Sequence, residues 1–143
     1  MKKVISIVVL TGAVWSCVLG EQRLLAQGCQ DEEAMVVDYK TGLIELVETI
    51  RKEGLANFEK AYHQKTMLTK LSLSAGMVDG LVECLEKASE DTAATKEQVD
   101  AYKAKRELYA KLRDKLQANQ KSLKAADDSR AAKALIEKLD YSK

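Results

Sequence analysis

The sequence predicts an all-α protein: an antiparallel helical bundle, or a long helical hairpin, of three to four helices behind an N-terminal signal peptide. Three observations carry this expectation. Pro is absent from the 143 residues and Gly occurs only seven times. Aromatic residues make up 5% and charged residues 31%, while Ala, Leu, Lys and Glu, which lose least on entering a helix, are abundant. Apolar positions recur at alternating steps of four and three, the spacing of a helix seam, whereas sheets draw on β-branched and aromatic residues with frequent turns. The length suits one domain, so the expected division is a signal peptide over 1–28 and a single helical domain over 29–143.

Lys2 and Lys3 form a basic start, and an apolar stretch runs from Val4 through Trp15 to Gly20. Ala26-Gln27-Gly28 offers a small-residue cleavage site before Cys29, and Val18-Leu19-Gly20 an alternative one before Glu21. The stretch is short for a membrane span and peptidase sites follow it, so cleavage and a periplasmic or secreted product are expected. The membrane would be met only through an uncleaved signal or a lipid. Val14-Trp15-Ser16-Cys17 loosely resembles a lipoprotein box, although Trp15 fits it poorly, and Cys29 lacks the usual preceding leucine. A lipid-anchored envelope protein is the alternative location.

Cleavage after Gly28 leaves Cys29 and Cys84, and two cysteines in an oxidising compartment make a candidate disulfide. No CxxC pair points to thiol redox chemistry.

Asp31, Glu32 and Glu33 suit the positive end of a helix dipole, so the first helix is expected to start there. Its seam runs through Val36, Leu43, Val47 and Ile50, and resumes at Leu68, Leu71, Val78, Val82 and Leu85. Between Gly54 and Gln64 the apolar positions move over by one, to Leu55, Phe58 and Tyr62, which predicts a rotation, bend or break. Ser74-Ala75-Gly76 and Gly80 form a second soft region, or a place where another helix approaches closely. An unbroken helix over 31–88 would separate Cys29 and Cys84 by ~80 Å, which a disulfide cannot span. A break near Gly54 with a turn at Ser74–Gly76 would bring them toward one end, so an intramolecular disulfide predicts the compact bundle.

Thr95 and Gln98 make a capping box that opens the next helix. It carries Tyr102, Tyr109, Leu116 and Leu123 seven apart, with Leu108 and Leu112 widening the stripe and Asn119 as a polar residue on the seam. Asp127-Asp128-Ser129 caps a last short helix with Ala131, Leu135 and Leu139 on one face, and the terminal Tyr-Ser-Lys is expected to fray.

Beyond residue 28 there are 20 basic and 21 acidic residues, a net charge that gives no footprint for nucleic acid. Cys29–Ala94 is net −6 and Thr95–Lys143 net +5, so the halves are expected to fold against each other. Lys103, Lys105, Arg106, Lys111, Arg113 and Lys115 are then the cations facing the acidic half, or a surface for an acidic partner.

Sites for chemistry are sparse. His63 is the single histidine, expected at the surface or a boundary, with Glu59 one helical turn before it; two ligands are too few for a metal site. There is no Gly-rich phosphate loop, haem motif, calcium loop or nucleophile elbow. No catalytic residue, metal, cofactor or small-molecule substrate is therefore expected. The leading expectation is a non-enzymatic protein-interaction or structural role in the cell envelope, through a protein partner or self-association. A periplasmic holdase-type chaperone is second, and a weak metal-binding or enzymatic role third.

Overall fold

A computed structural model describes residues 14–142, with side chains from Cys29 onward. Lys2, Lys3 and the start of the apolar stretch lie outside the described residues, as do the side chains at both cleavage sites and at Cys17. The described residues form four helices: α1 (Val14–Lys52), α2 (Lys60–Ser89), α3 (Lys96–Lys124) and α4 (Ser129–Glu137). Among them, no helix is long and apolar enough to cross a membrane.

The segment over 31–88 is two helices, not one. α1 ends on Arg51 and Lys52, cations that favour the negative end of its dipole. Gly54 then takes an extended conformation, Leu55–Asn57 makes one turn of 3-10 helix, and α2 starts after Glu59. The apolar shift in the sequence is this turn. Phe58 is buried as its plug, while Leu55 and Tyr62 face solvent.

The expected second turn at Ser74–Gly76 is absent, because α2 runs straight through it. An interior glycine costs a helix only about 1 kcal/mol against alanine, too little to break one packed on two sides. One break is also enough for the cysteines. Cys29 to Lys52 and Lys60 to Cys84 are nearly equal lengths of helix, so a single reversal returns the chain to its starting level. Cys29 and Cys84 form a disulfide there, with their Cα atoms 5.8 Å apart. Closing a 55-residue separation restricts the unfolded chain by roughly 4 kcal/mol in the chain-entropy account.

α1 crosses Gly28–Cys29 without interruption, so Asp31, Glu32 and Glu33 lie inside it rather than at its start. The seam itself is where the core sits. Val36, Leu43, Val47 and Ile50 of α1 are buried, as are Leu71, Val78, Val82 and Leu85 of α2; Leu68 is half-buried. α2 also buries Met67, Ser74, Leu81 and Ala88, which the heptad spacing passes over. The reason is that α2 packs against both α1 and α3, and two neighbours need a wider buried stripe than one seam provides.

α3 opens on the capping box: Thr95 Oγ1 accepts from the Gln98 amide, and the Thr95 amide donates to Gln98 Oε1. Leu116 and Leu123 are buried, and Tyr102, Tyr109 and Leu112 half-buried. Leu108, expected to widen the stripe, is 62% exposed. In α4, capped by Asp128 through the Ala131 amide, the buried face is Ala132, Lys133 and Ile136. Leu139 is buried as expected, but Ala131 is exposed and Leu135 half-buried, a one-position rotation.

α1 and α3 make no close backbone approach among the described residues. Charged side chains bridge the halves instead: Lys105 to Glu33 at 2.7 Å, Arg106 to Glu86 at 2.8 Å and Arg113 to Asp79 at 3.5 Å. These are the opposed acidic and basic halves folding together. Exposed pairs of this kind are worth little in stability and mainly set register.

The C-terminal segment closes the other end of the gap, contrary to the expected fraying. Tyr141 is 2% exposed. Asn119, the polar residue on the α3 seam, donates to its hydroxyl at 2.6 Å, and the Lys115 ammonium lies 5.2 Å from its ring centroid. Arg51 of α1 donates to the Glu137 and Leu139 carbonyls, holding the end of α4. Tyr141→Ala is expected to cost about 3 kcal/mol of stability, the low end for emptying a buried aromatic site. Tyr141→Phe, which loses only the Asn119 hydrogen bond, is expected to cost about 1 kcal/mol. Denaturant unfolding of the two variants checks both values; equal, negligible losses would show a frayed terminus.

Candidate interaction surface

α2 has three faces. One meets α1, one meets α3, and the third points to solvent. On that third face Tyr62, Thr66, Thr69, Leu73, Gly76 and Gly80 follow one another at steps of four and three. This is a second heptad stripe, on the side of the helix opposite the core, and the seam residues account for none of it. Tyr62 is 62% and Leu73 46% exposed. A Cβ added at Gly76 or Gly80 would meet nothing within 4 Å. A shallow groove of about 340 Å³ lies along the first four of these positions, flanked by Lys65 and Lys70.

Charge is what sets this face apart. Between Ala61 and Val82 the charged residues are Lys65, Lys70 and Asp79, whereas α3 is charged along its whole length. Lys70 turns aside, its Nζ 3.5 Å from where a Cβ on Gly42 of α1 would lie. Charge resumes where the stripe stops, at Glu59 and Lys60 on one side and at the Glu83–Lys87 pair on the other. A solvent stripe that carries no charge itself, has lysines only at its edges and holds an exposed tyrosine and leucine has the composition of the centre of a protein contact.

The residues that suggested chemistry are engaged in structure. His63 is buried rather than at the surface. Its ring stacks on Phe58 with centroids 4.9 Å apart, and Tyr62 meets it edge-on at 5.2 Å. Nδ1 lies 3.0 Å from the Glu59 carbonyl and Nε2 2.9 Å from Glu53 Oε2, so His63 pins both ends of the turn between α1 and α2. The contact of His63 with Glu59 is to the backbone carbonyl. Among the described residues no three histidine, cysteine or acidic side chains converge as a metal site would require.

Tyr102 and Tyr109 are half-buried against the core. The Tyr109 hydroxyl donates to Glu33 Oε1 at 2.7 Å, across the gap between α3 and α1, and Lys105 binds the other carboxylate oxygen. The Lys105 hydrogen bond, helped by that of Tyr109, holds the Glu33 carboxyl below its ordinary value against the opposing effect of burial. Burial first, and the neighbouring Glu33 carboxylate second, push the Tyr109 hydroxyl up to about 12.

The outer α2 stripe is hard to find in the sequence alone for a plain reason: the inner seam has longer apolar residues and absorbs the same spacing rule. The signal that marks it is the uncharged run from Leu71 to Val78 around Leu73. Comparison with protein-family models, curated proteins and solved structures gives no match to this chain.

The Glu33–Tyr109 bridge has a definite pH dependence. Because the folded tyrosine ionises later than a free one, its contribution to stability is complete below pH 10 and is lost as pH rises toward about 12. The lowered Glu33 carboxyl works at the other end: its contribution is complete above pH 4.5 and is lost as pH falls through the folded value. Tyr109→Phe is therefore expected to remove a phenolate absorbance step near pH 12 and to flatten the alkaline fall in unfolding free energy. Loss of a step near pH 10 instead would show that the two side chains do not meet.

Proposed function

We propose that this chain is an exported, non-enzymatic helical interaction protein of the cell envelope, and that it works through the outer face of α2. The single observation that carries the reading is the uncharged, exposed stripe from Tyr62 to Gly80 on a chain that is 31% charged. Long-lived disulfides belong to oxidising compartments, so the Cys29–Cys84 bond supports export together with the Lys2-Lys3 start and the apolar stretch behind it. The engagement of His63, Glu33 and Tyr109 in holding helices together leaves them with structural tasks, which supports a binding role over a catalytic one.

The disulfide-closed hairpin gives the stripe a rigid support. α1 and α3 hold α2 from behind, so contact with a partner would require little ordering of the backbone, and affinity is not lost to folding. The shallow groove on this face fits a helix-sized protein surface better than an extended unfolded client, which ranks the interaction role above a holdase.

A photo-crosslinking amino acid at position 73 is expected to give discrete covalent adducts in cells that make the protein. The same probe at Lys111, on exposed α3, is expected to give none. No adduct from position 73, or equal labelling at both positions, contradicts the reading.

A further inference from the structure

We infer that the outer face of α2 pairs with the same face of a second copy, antiparallel, about a two-fold axis at the level of Leu71. The inference rests on the proposed interaction role and names its partner. It is carried by the self-complementarity of the stripe. Around that axis Tyr62 falls across from Gly80 of the second copy, Thr66 across from Gly76, and Thr69 across from Leu73. Every position of the stripe is matched, and the largest side chain meets a glycine with open space around it. An isologous contact requires this: the same patch must serve as both surfaces. Large residues against small ones let the two backbones approach closely over about 27 Å of helix, the rise of eighteen residues.

The charges agree with the pairing. On the flank facing α3, Lys65 of one copy and Asp79 of the other come within about two residues of the same level, roughly 3 Å along the axis. Two-fold symmetry makes this ion pair twice. Asp79 is 53% exposed beside its 3.5 Å contact with Arg113 and has room for a second cation. Lys70, which lies on the other flank near the axis and would meet its own copy, is the residue turned back toward Gly42. A parallel arrangement would stack Tyr62 on Tyr62 and leave the glycines facing each other across a gap. The stripe is short for a two-stranded contact, so a weak, micromolar dimer is expected.

Gly80→Arg and Gly76→Glu test the contact at little risk to the fold, since a Cβ at either position has no neighbour within 4 Å and both remove an interior helix glycine. The disulfide-bonded protein, with the N-terminus that export leaves, is compared with these variants by sedimentation equilibrium from micromolar to millimolar concentration, with thermal unfolding as the control for folding. The wild type is expected to show a monomer–dimer equilibrium. Each variant is expected to raise the dissociation constant tenfold or more with no loss in melting temperature. Lys65→Asp is expected to weaken the dimer, and Lys65→Asp with Asp79→Lys to restore it. A wild type that stays monomeric, or a dimer that Gly80→Arg leaves intact, overturns the pairing. The crosslinking adducts separate the two claims. An adduct of twice the protein mass supports self-pairing. An adduct of another mass overturns it while the interaction role stands, and no adduct overturns both.

Discussion

The Cys29–Cys84 disulfide closes the end of the α1–α2 hairpin that the Glu53–Glu59 turn leaves open. Between these two fixed points the helices cannot slide or splay. The turn is itself held by buried contacts, with Phe58 stacked on His63 and His63 reaching Glu53 and the Glu59 carbonyl. With both ends fixed, the rotation of α2 is determined: Met67, Leu71 and Val78 face inward, and Tyr62, Leu73 and Gly76 face out. The candidate contact surface is thus a consequence of the hairpin's closure.

The rest of the molecule completes a core that the hairpin alone cannot cover. α3 docks on the second face of α2 and leaves a gap toward α1. Charge and hydrogen bonds span that gap at one end, through Glu33, Lys105 and Tyr109. At the other end α4 and Tyr141 fill it, anchored by Arg51 and Asn119. Three ion pairs thus join the acidic and basic halves of the chain, Lys105–Glu33, Arg106–Glu86 and Arg113–Asp79.

Much of this fold is legible in the sequence because its signals are local or periodic. The Thr95–Gln98 box depends on four adjacent residues, and the seam from Val36 to Leu85 depends on spacing alone. Cys29 and Cys84 are a candidate pair from their count alone, and helix length adds only that the pair requires a break between them. Features set by tertiary contact are not legible. Tyr141 looks like a frayed end until Asn119, Lys115 and Arg51 are placed around it. His63 looks like a boundary residue until the turn folds over it. Ser74–Gly76 looks like a turn, but packing on two sides overrides a weak local preference. The outer α2 stripe obeys the same spacing as the core and stands out only once the core has been assigned to the opposite face.

The central claim is that one intramolecular bond locks the chain into a compact hairpin, in the exported form proposed above. The most direct test is the intact mass of the protein taken from its own cells without reduction, followed by peptide mapping. The predicted product is a chain beginning at Cys29, lighter by two hydrogen atoms than its reduced form, with a single linked peptide joining Cys29 to Cys84. Free thiols, a disulfide joining two chains through these cysteines, or a lipid on Cys29 would contradict it.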